Sequence, residues 1–295
     1  MSKFILSTES VADVSKEYMA SRDLRYICFR YMLDDEEFID DLGSPLPYDE
    51  FYQRLRDGAS PRTTQVNISE YLDYFSAICQ EGNDLIHVCL SSGLSSTFNS
   101  ATKAAEIARE RFPQCKIYII DSLNASCGMA LLVDKLADLR DQGKTVDEVY
   151  NWAEDNKMRV NSWFFSHDLT FFIKNGRISR LAGAFGGVLN ICPVMNVDVE
   201  GHLKVRQKVR GRKAALATMM DKIRTLNPRG ANYSEKMFIS SADSFEEARK
   251  LADMIEAEYK NLPSSIDIYS IGTTIGSHTG PGTIALFFWG EARKD

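Results

Sequence analysis

Leu85-Ile86-His87-Val88-Cys89-Leu90 runs straight into Ser91-Ser92-Gly93-Leu94-Ser95-Ser96-Thr97, after which Ala101, Ala104, Ala105, Ala108 and Phe112 recur before Pro113. The first six residues have the length and apolar character of a buried strand. The alanines and Phe112 fall at i, i+3, i+4, i+7 and i+11, one face of a helix, and the proline stops it. A second apolar run follows at residues 117–120. Strand, turn, helix and strand at this spacing predict a βαβ unit, so part of the sheet is expected to be parallel.

Outward from that unit, residues 4–7 and 26–32 read as strands. Beyond residue 160 the texture changes: a strand at 160–165, a short helix, then the glycine-rich Gly183-Ala184-Phe185-Gly186-Gly187. Residues 194–199 and 203–209 alternate around Glu200-Gly201, the pattern of a hairpin. A helix opens near Arg212. Ser244-Phe245-Glu246-Glu247 has the form of a capping box, ahead of a stripe of Ala248, Leu251, Ala252, Ile255 and Tyr259. Strands at 237–240, 266–271 and 283–289 complete the chain. The expectation is an α/β protein of two lobes, 1–160 with a largely parallel sheet and 161–295 as a second α/β lobe, with segments crossing between them.

Composition narrows the function. The 295 residues are 44% hydrophobic and 26% charged, an ordinary globular balance, and 35 Lys plus Arg against 41 Asp plus Glu give a net charge of −6. An acidic chain is a poor general binder of nucleic acid or anionic membrane. No apolar run approaches a membrane span, and the apolar stretch after Met1 is too short for a signal peptide, so cytoplasmic residence is expected. The six cysteines contain no CxxC pair and predict no disulfide framework. The four histidines show no zinc spacing, so no metal centre is expected. The acidic run Asp34-Asp35-Glu36-Glu37-Phe38-Ile39-Asp40-Asp41 lacks the spacing of a calcium loop and reads as the exposed tip of a strand pair.

Four segments place hydroxyls at strand ends, where open α/β sheets bind ligands: Ser7-Thr8-Glu9-Ser10, Thr63-Thr64-Gln65, residues 91–97 and Asp121-Ser122. In the third, Ser95, Ser96 and Thr97 stand at a helix N-terminus. Free N–H groups there suit a carboxylate or phosphate, although each hydroxyl also suits plain capping. Gly276-Ser277-His278-Thr279-Gly280-Pro281-Gly282 reads as a tight loop presenting a histidine between hydroxyls. Lys204, Arg206, Lys208 and Arg210 alternate at period two, which predicts one basic strand face; Lys174, Arg177 and Arg180 lie near in sequence. Residues 164–173 and 183–194 are apolar enough for core or for the wall of a tunnel.

Taken in order, these segments resemble the DegV family. Ser7 to Asp13 is similar to its T-D-S-T opening, Thr63-Thr64-Gln65 to T-S-Q, and residues 91–101 to S-S-x-L-S-G-T-Y-x-S-A. Lys174-Asn175-Gly176-Arg177-Ile178-Ser179 resembles K-G-G-R-I-S, and Ile191-Cys192-Pro193 resembles I-K-P. Val209-Arg210-Gly211 and residues 278–282 match as they stand. The resemblance implies a two-lobed fold that binds a long-chain fatty acid between the lobes, without a further cofactor. It also implies a separate fatty acid kinase as partner, which phosphorylates the carboxylate. The carboxylate-binding hydroxyls fall on Thr63 and Ser95, with Thr64, Ser96 and Thr97 beside them and His278 and Thr279 closing the site; the kinase-facing arginines fall on Arg177 and Arg210. Departures from the pattern are Glu9 for Asp, Ser96 for Gly, and Asn175 for Gly.

Two other functions fit parts of the sequence. Gly93-Leu94-Ser95-Ser96-Thr97 lies between strand and helix like a nucleophile elbow, and Ser95, Asp121 and His278 occur in the Ser, Asp, His order of a hydrolase. The basic stripe also suits a protein–protein adaptor without a small ligand.

Overall fold

The computed structural model describes residues 4–179 and 190–294. The chain opens with β1 (Phe4–Glu9), a 3-10 turn (Ser10–Ala12), α1 (Lys16–Ser21) and β2 (Leu24–Ile27). A hairpin of β3 (Phe29–Leu33) and β4 (Glu36–Asp40) precedes α2 (Tyr48–Arg56) and β5 (Pro61–Thr64). Then α3 (Ile68–Gln80), β6 (Asp84–Cys89), α4 (Thr97–Arg111) and β7 (Ile117–Asp121) alternate, followed by α5 (Cys127–Asp141) and α6 (Val146–Asn156). The second part holds β8 (Val160–Phe165), α7 (Thr170–Lys174), β9 (Ile191–Val197), β10 (Leu203–Arg210) and α8 (Arg212–Leu226). It ends with β11 (Met237–Ser241), α9 (Phe245–Glu258), β12 (Asp267–Ser270), α10 (Thr273–Thr279) and β13 (Ile284–Trp289). The glycine-rich stretch Gly183-Ala184-Phe185-Gly186-Gly187 and Arg180 lie outside the described residues.

Among the described residues there are three sheets. The first, in the order β2-β1-β6-β7, is wholly parallel, with the β6-α4-β7 crossover at its edge. The second has six strands, β10-β9-β8-β13-β11-β12, and is antiparallel except for β11 with β12. A small antiparallel sheet, β4-β3-β5, sits apart. Helix α5 joins the two large ones: it packs against β1 and β6 on one side and β8, β11 and β13 on the other. Ten consecutive or near-consecutive residues, Cys127 to Asp134 with Leu136 and Ala137, are buried, as expected of a helix apolar nearly all round.

Several elements depart from the sequence expectation. Residues 26–32, expected as one strand, break at Cys28: β2 stays in the parallel sheet, while β3 leaves to pair with β4 and β5. The acidic run does turn at exposed Asp34 and Asp35, but its Asp40 is buried. Ser244 makes no capping bond to α9; its own amide instead donates to Ser241 Oγ at 3.0 Å. The reciprocal boxes are at Asn67 with Glu70 and Thr145 with Glu148. Cys79 and Cys115 form a disulfide between the end of α3 and the turn before β7, a cross-link that sequence spacing does not show.

The basic stripe is divided. Pairing of β10 with β9 slips between Val205 and Gln207, a bulge at Arg206. Cross-strand partners share a face, and one extra residue reverses the parity beyond it. Lys204 lies with Asn196, whereas Lys208 and Arg210 lie with Pro193 and Ile191 on the opposite face. The side chains expected on one face therefore occupy two.

The lobes touch where the loop after β6 meets the β9–β10 turn. Ser91 Oγ donates to Gly201 O at 2.9 Å, and a Cβ on Gly93 would come within 2.6 Å of Glu200 O. Gly201 has φ +79°, and a Cβ there would overlap the Ser91 hydroxyl. Gly201→Ala should therefore lower unfolding stability by about 1–3 kcal/mol. Gly143→Ala, also at positive φ (+84°) but with nothing within 4 Å, should cost less. Equal losses in thermal or denaturant unfolding would mean that the loop contact contributes nothing.

Candidate functional site

Where the parallel sheet, the small sheet and the inner face of the six-stranded sheet converge, the fold leaves a cavity of about 520 Å³. Its apolar wall includes Phe29, Leu90, Leu94, Phe164, Phe172, Ile275 and Phe287. Val197 and Leu203 reach it from the β9–β10 hairpin, and Ala125 from the turn before α5. Its polar wall gathers Thr63, Gln65, Ser95, Ser96, Arg177, His278 and Thr279. Among the described lining residues Arg177 is the one with a full charge.

Each polar group arrives from a different element for a local reason. Thr63 lies on β5 and Gln65 just past its end. Ser95 lies in the turn between β6 and α4, where its Oγ accepts the Thr97 amide at 3.2 Å and donates to Gln65 Oε1 at 3.4 Å. Ser95 thus both caps the helix and faces the cavity. The glycine-rich segment expected as a loop is helical through Thr279, and the turn begins at Gly280, with φ +68°. His278 is consequently held in the last turn of α10, and its Nε2 lies 2.9 Å from Thr63 Oγ1.

That contact fixes the proton count. Burial, with Arg177 adding to it, pushes His278 down to about 4, so the ring is neutral at physiological pH. A carboxylate neighbour that would favour the charged ring is not among these causes. The Thr63–His278 pair has one hydroxyl proton and one ring proton. One is consumed in their mutual bond, leaving the other for a ligand in either tautomer. Nδ1 of His278 and Oγ1 of Thr279 are buried without a partner among the described residues. Arg177 is half-buried, its Nη1 donates to Asn175 O at 2.9 Å, and burial lowers its pKa.

The other expected residues lie elsewhere. Thr64 is exposed on β5, off the cavity wall. Thr97 is buried beneath the loop, donating to Glu9 Oε1 at 3.1 Å and contacting Tyr71 Oη at 2.7 Å. Glu9 does not face the cavity: Leu90 N at 2.8 Å and the Tyr71 hydroxyl also donate to it, so its longer side chain ties β1 to the β6 loop. Asn175 has φ −96°, and Gly176, at +71°, takes the left-handed position. Arg177, expected to face a partner, lines the cavity; Arg210 is exposed at the end of β10. The hydrolase trio does not assemble. His278 bonds Thr63 and not Ser95, while Asp121 Oδ1 accepts from the amides of Ser92 and Leu123. Gln65, which is not among the expected site residues, is marked in the sequence by its place in the segment that resembles T-S-Q, and it lines the cavity.

These features define a two-lobed α/β fold that encloses an amphipathic cavity among the described residues. The chain belongs to the DegV family, whose model, described as uncharacterised, matches residues 3–291. A DegV domain-containing protein of Clostridium perfringens is 36% identical over 100% of both chains. Among solved structures, a DegV lipid-binding protein from Thermotoga maritima is 25% identical, covers 99% of this chain and 100% of its own, and superposes with a TM-score of 0.82. The Streptococcus pneumoniae fatty acid kinase B3 protein, loaded with linoleic acid, is 23% identical over 98% of this chain and 100% of its own, with a TM-score of 0.84. No helix among the described residues is long and apolar enough to cross a membrane.

The buried neutral histidine gives a pH signature. Its folded pKa lies below the unfolded value near 6.5, so its stabilising contribution is full above that value and is lost as pH falls from about 6.5 towards 4. Between about pH 6.5 and 5 stability should drop by roughly 1.4 kcal/mol per unit from this residue. Denaturant melts of wild type against His278→Gln measure the difference; parallel profiles would mean an unperturbed ring.

Proposed function

We propose that this protein binds a long-chain fatty acid in the cavity and presents its carboxylate to a separate fatty acid kinase. The observation that carries this reading is the make-up of the wall: one cation, a hydroxyl and imidazole cluster around it, and apolar side chains over much of the rest. A buried carboxylate must be paired or hydrogen-bonded. Thr63, Ser95, His278 and Thr279 supply donors, with Ser96 at the rim, and Arg177 supplies the counter-charge. An acyl chain burying about fourteen methylenes gains roughly 11 kcal/mol before the costs of association and ordering. A cavity of this size falls in the range of small-molecule sites. The relatives loaded with linoleic acid and heptadecanoic acid support the ligand class, and the fatty acid kinase B3 protein among them supports the partner. Arg210, exposed near the end of the bulged strand, is the docking residue in this proposal.

Organic extraction and mass spectrometry of the purified protein should release a fatty acid. Failure to find one, with no binding of labelled fatty acid at tens of micromolar (an affinity scale from), would sink the proposal. Ser95→Ala and Thr63→Ala should each weaken binding by about tenfold to a hundredfold, the worth of one donor to a charged acceptor. Unchanged affinity in both would remove them from the site. Arg177→Ala should lose fatty acid, whereas Arg210→Ala should keep it and slow acyl-phosphate formation by a cognate kinase; the reverse pattern would exchange their roles. A fluorophosphonate probe should leave Ser95 unlabelled, and labelling would revive the hydrolase.

A further inference from the structure

Two aspartates from the first lobe meet the start of α10, the helix that carries His278 and Thr279. Asp13 follows the 3-10 turn with φ +56° and is 2% exposed; Asp40 ends β4 and is 1% exposed. Asp40 Oδ2 accepts the Thr274 amide at 3.1 Å. A Cβ on Gly272 would lie 2.5 Å from Asp13 Oδ1 and 3.7 Å from Asp40 Oδ1, so both carboxylates come up against the same glycine. Among the described residues neither oxygen of Asp13 nor Oδ1 of Asp40 has a partner at full hydrogen-bond geometry; the nearest polar groups are the Ser126 hydroxyl and Gly272 amide beside Asp13 and the Thr273 and Thr274 hydroxyls beside Asp40. Among the described residues no Lys, Arg or His forms an ion pair with either aspartate. Two buried carboxylates without a cation cannot both stay ionised at ordinary cost; such pairs retain a proton.

We propose that Asp13 and Asp40 share one proton at neutral pH and that this protonated pair positions α10, and with it His278 and Thr279, for the ligand's carboxylate. The proposal rests on the fatty-acid reading of the cavity. Loss of the proton would place a second negative charge in a buried site; the two carboxylates would repel each other, moving the end of β4, whose Asp40 holds the Thr274 amide, relative to the Asp13 turn, and the Gly272 turn that starts α10 would shift with them. The helix is only seven residues long, so a shift at Gly272 reaches His278 within two turns.

The surroundings leave the pair as the group that titrates. Asp41, beside Asp40, is paired with Lys16 and held below the usual carboxylate range. Tyr31 from β3, Tyr48 and Tyr52 from α2, and Cys127 from α5 are all raised, chiefly by burial. Cys28 is pushed up to about 12. Arg56 is the cation that Tyr52 feels, and it is paired with Asp243; His278 is neutral above about 4. Burial raises both aspartates; Asp40 raises Asp13 further and Asp41 raises Asp40, while the Ser126, Thr273 and Thr274 hydroxyls and the Gly272 and Thr274 amides pull downward without reversing the direction. With folded values above the unfolded ones, their contribution is full at low pH and lost as pH rises through the folded value of the pair.

The test follows labelled fatty-acid affinity, ligand-free stability and the infrared carbonyl band of a protonated carboxyl together, from neutral pH upward. It uses wild type, Asp13→Asn and Asp40→Asn. Asparagine keeps a donor in place of the proton and tolerates the left-handed backbone at position 13. Expected is a wild-type band at neutral pH whose loss coincides with an affinity decline of up to about tenfold per pH unit. At least one asparagine variant should lack the band, bind well and show a flat profile. Absence of the band at neutral pH, affinity indifferent to its loss, or a wild-type slope in both variants would overturn the proposal. If no form binds fatty acid at any pH, the cavity reading fails and the positioning role with it, while the band and the ligand-free stability slope still decide whether the proton is shared.

Discussion

Helix α5 has almost no solvent face, and the architecture depends on that. A helix sandwiched between two sheets must bury apolar side chains in opposite directions, and Cys127 to Ala137 do so nearly without interruption. The buried exception, Asp134, is matched by Arg22, Lys236 and the Tyr18 hydroxyl, drawn from both lobes, while its neighbour Lys135 is half-buried beside Glu235. A buried carboxylate left alone there would be strongly destabilising; with these partners it fixes how the lobes sit across the helix. One apolar core consequently runs from the parallel sheet to the inner face of the six-stranded sheet. The cavity reaches the N-terminal end of α5 at Ala125 and Ser126, where Leu123 and Ser126 have positive φ, +49° and +54°.

The electrostatics of the cavity follow from the same enclosure. Burial alone keeps His278 neutral, and the nearby guanidinium reinforces it. A charged imidazolium would bind a carboxylate more strongly, yet it would need deprotonation and resolvation whenever the site emptied. In the function proposed above, a neutral donor set beside one half-exposed arginine would hold the head group by directional bonds and by a charge that water still screens.

Local periodicity carried the parallel unit, because the alanine stripe of α4 and the short runs on either side obey one rule each. The ordered motifs carried the family. Sequence hid what depends on distant partners. The break at Cys28 leaves no mark, since β2 and β3 alternate alike and differ only in which strands they pair. The bulge at Arg206 is invisible in a run whose period-two charges look regular on both sides of it. Thr97 and Ser95 are equivalent as letters; the fold turns one under the loop towards Glu9 and the other outward to Gln65. Arg177 looked like a surface charge because neither its neighbours in sequence nor its chemistry disclose that α10 packs beside it.

The contact between Thr63 and His278 spans 215 positions, and this has a consequence in time. During synthesis the first lobe's strands, including the hydroxyl-bearing β5, leave the ribosome long before α10 exists. Until the chain is nearly finished, the small sheet lacks its cover, the buried carboxyl of Asp40 faces water, and the cavity has no floor. Such long-range closure is slow relative to local pairing. The nascent chain is thereby without a finished cavity for most of its elongation, and that cavity is among the last features of the molecule to come into being.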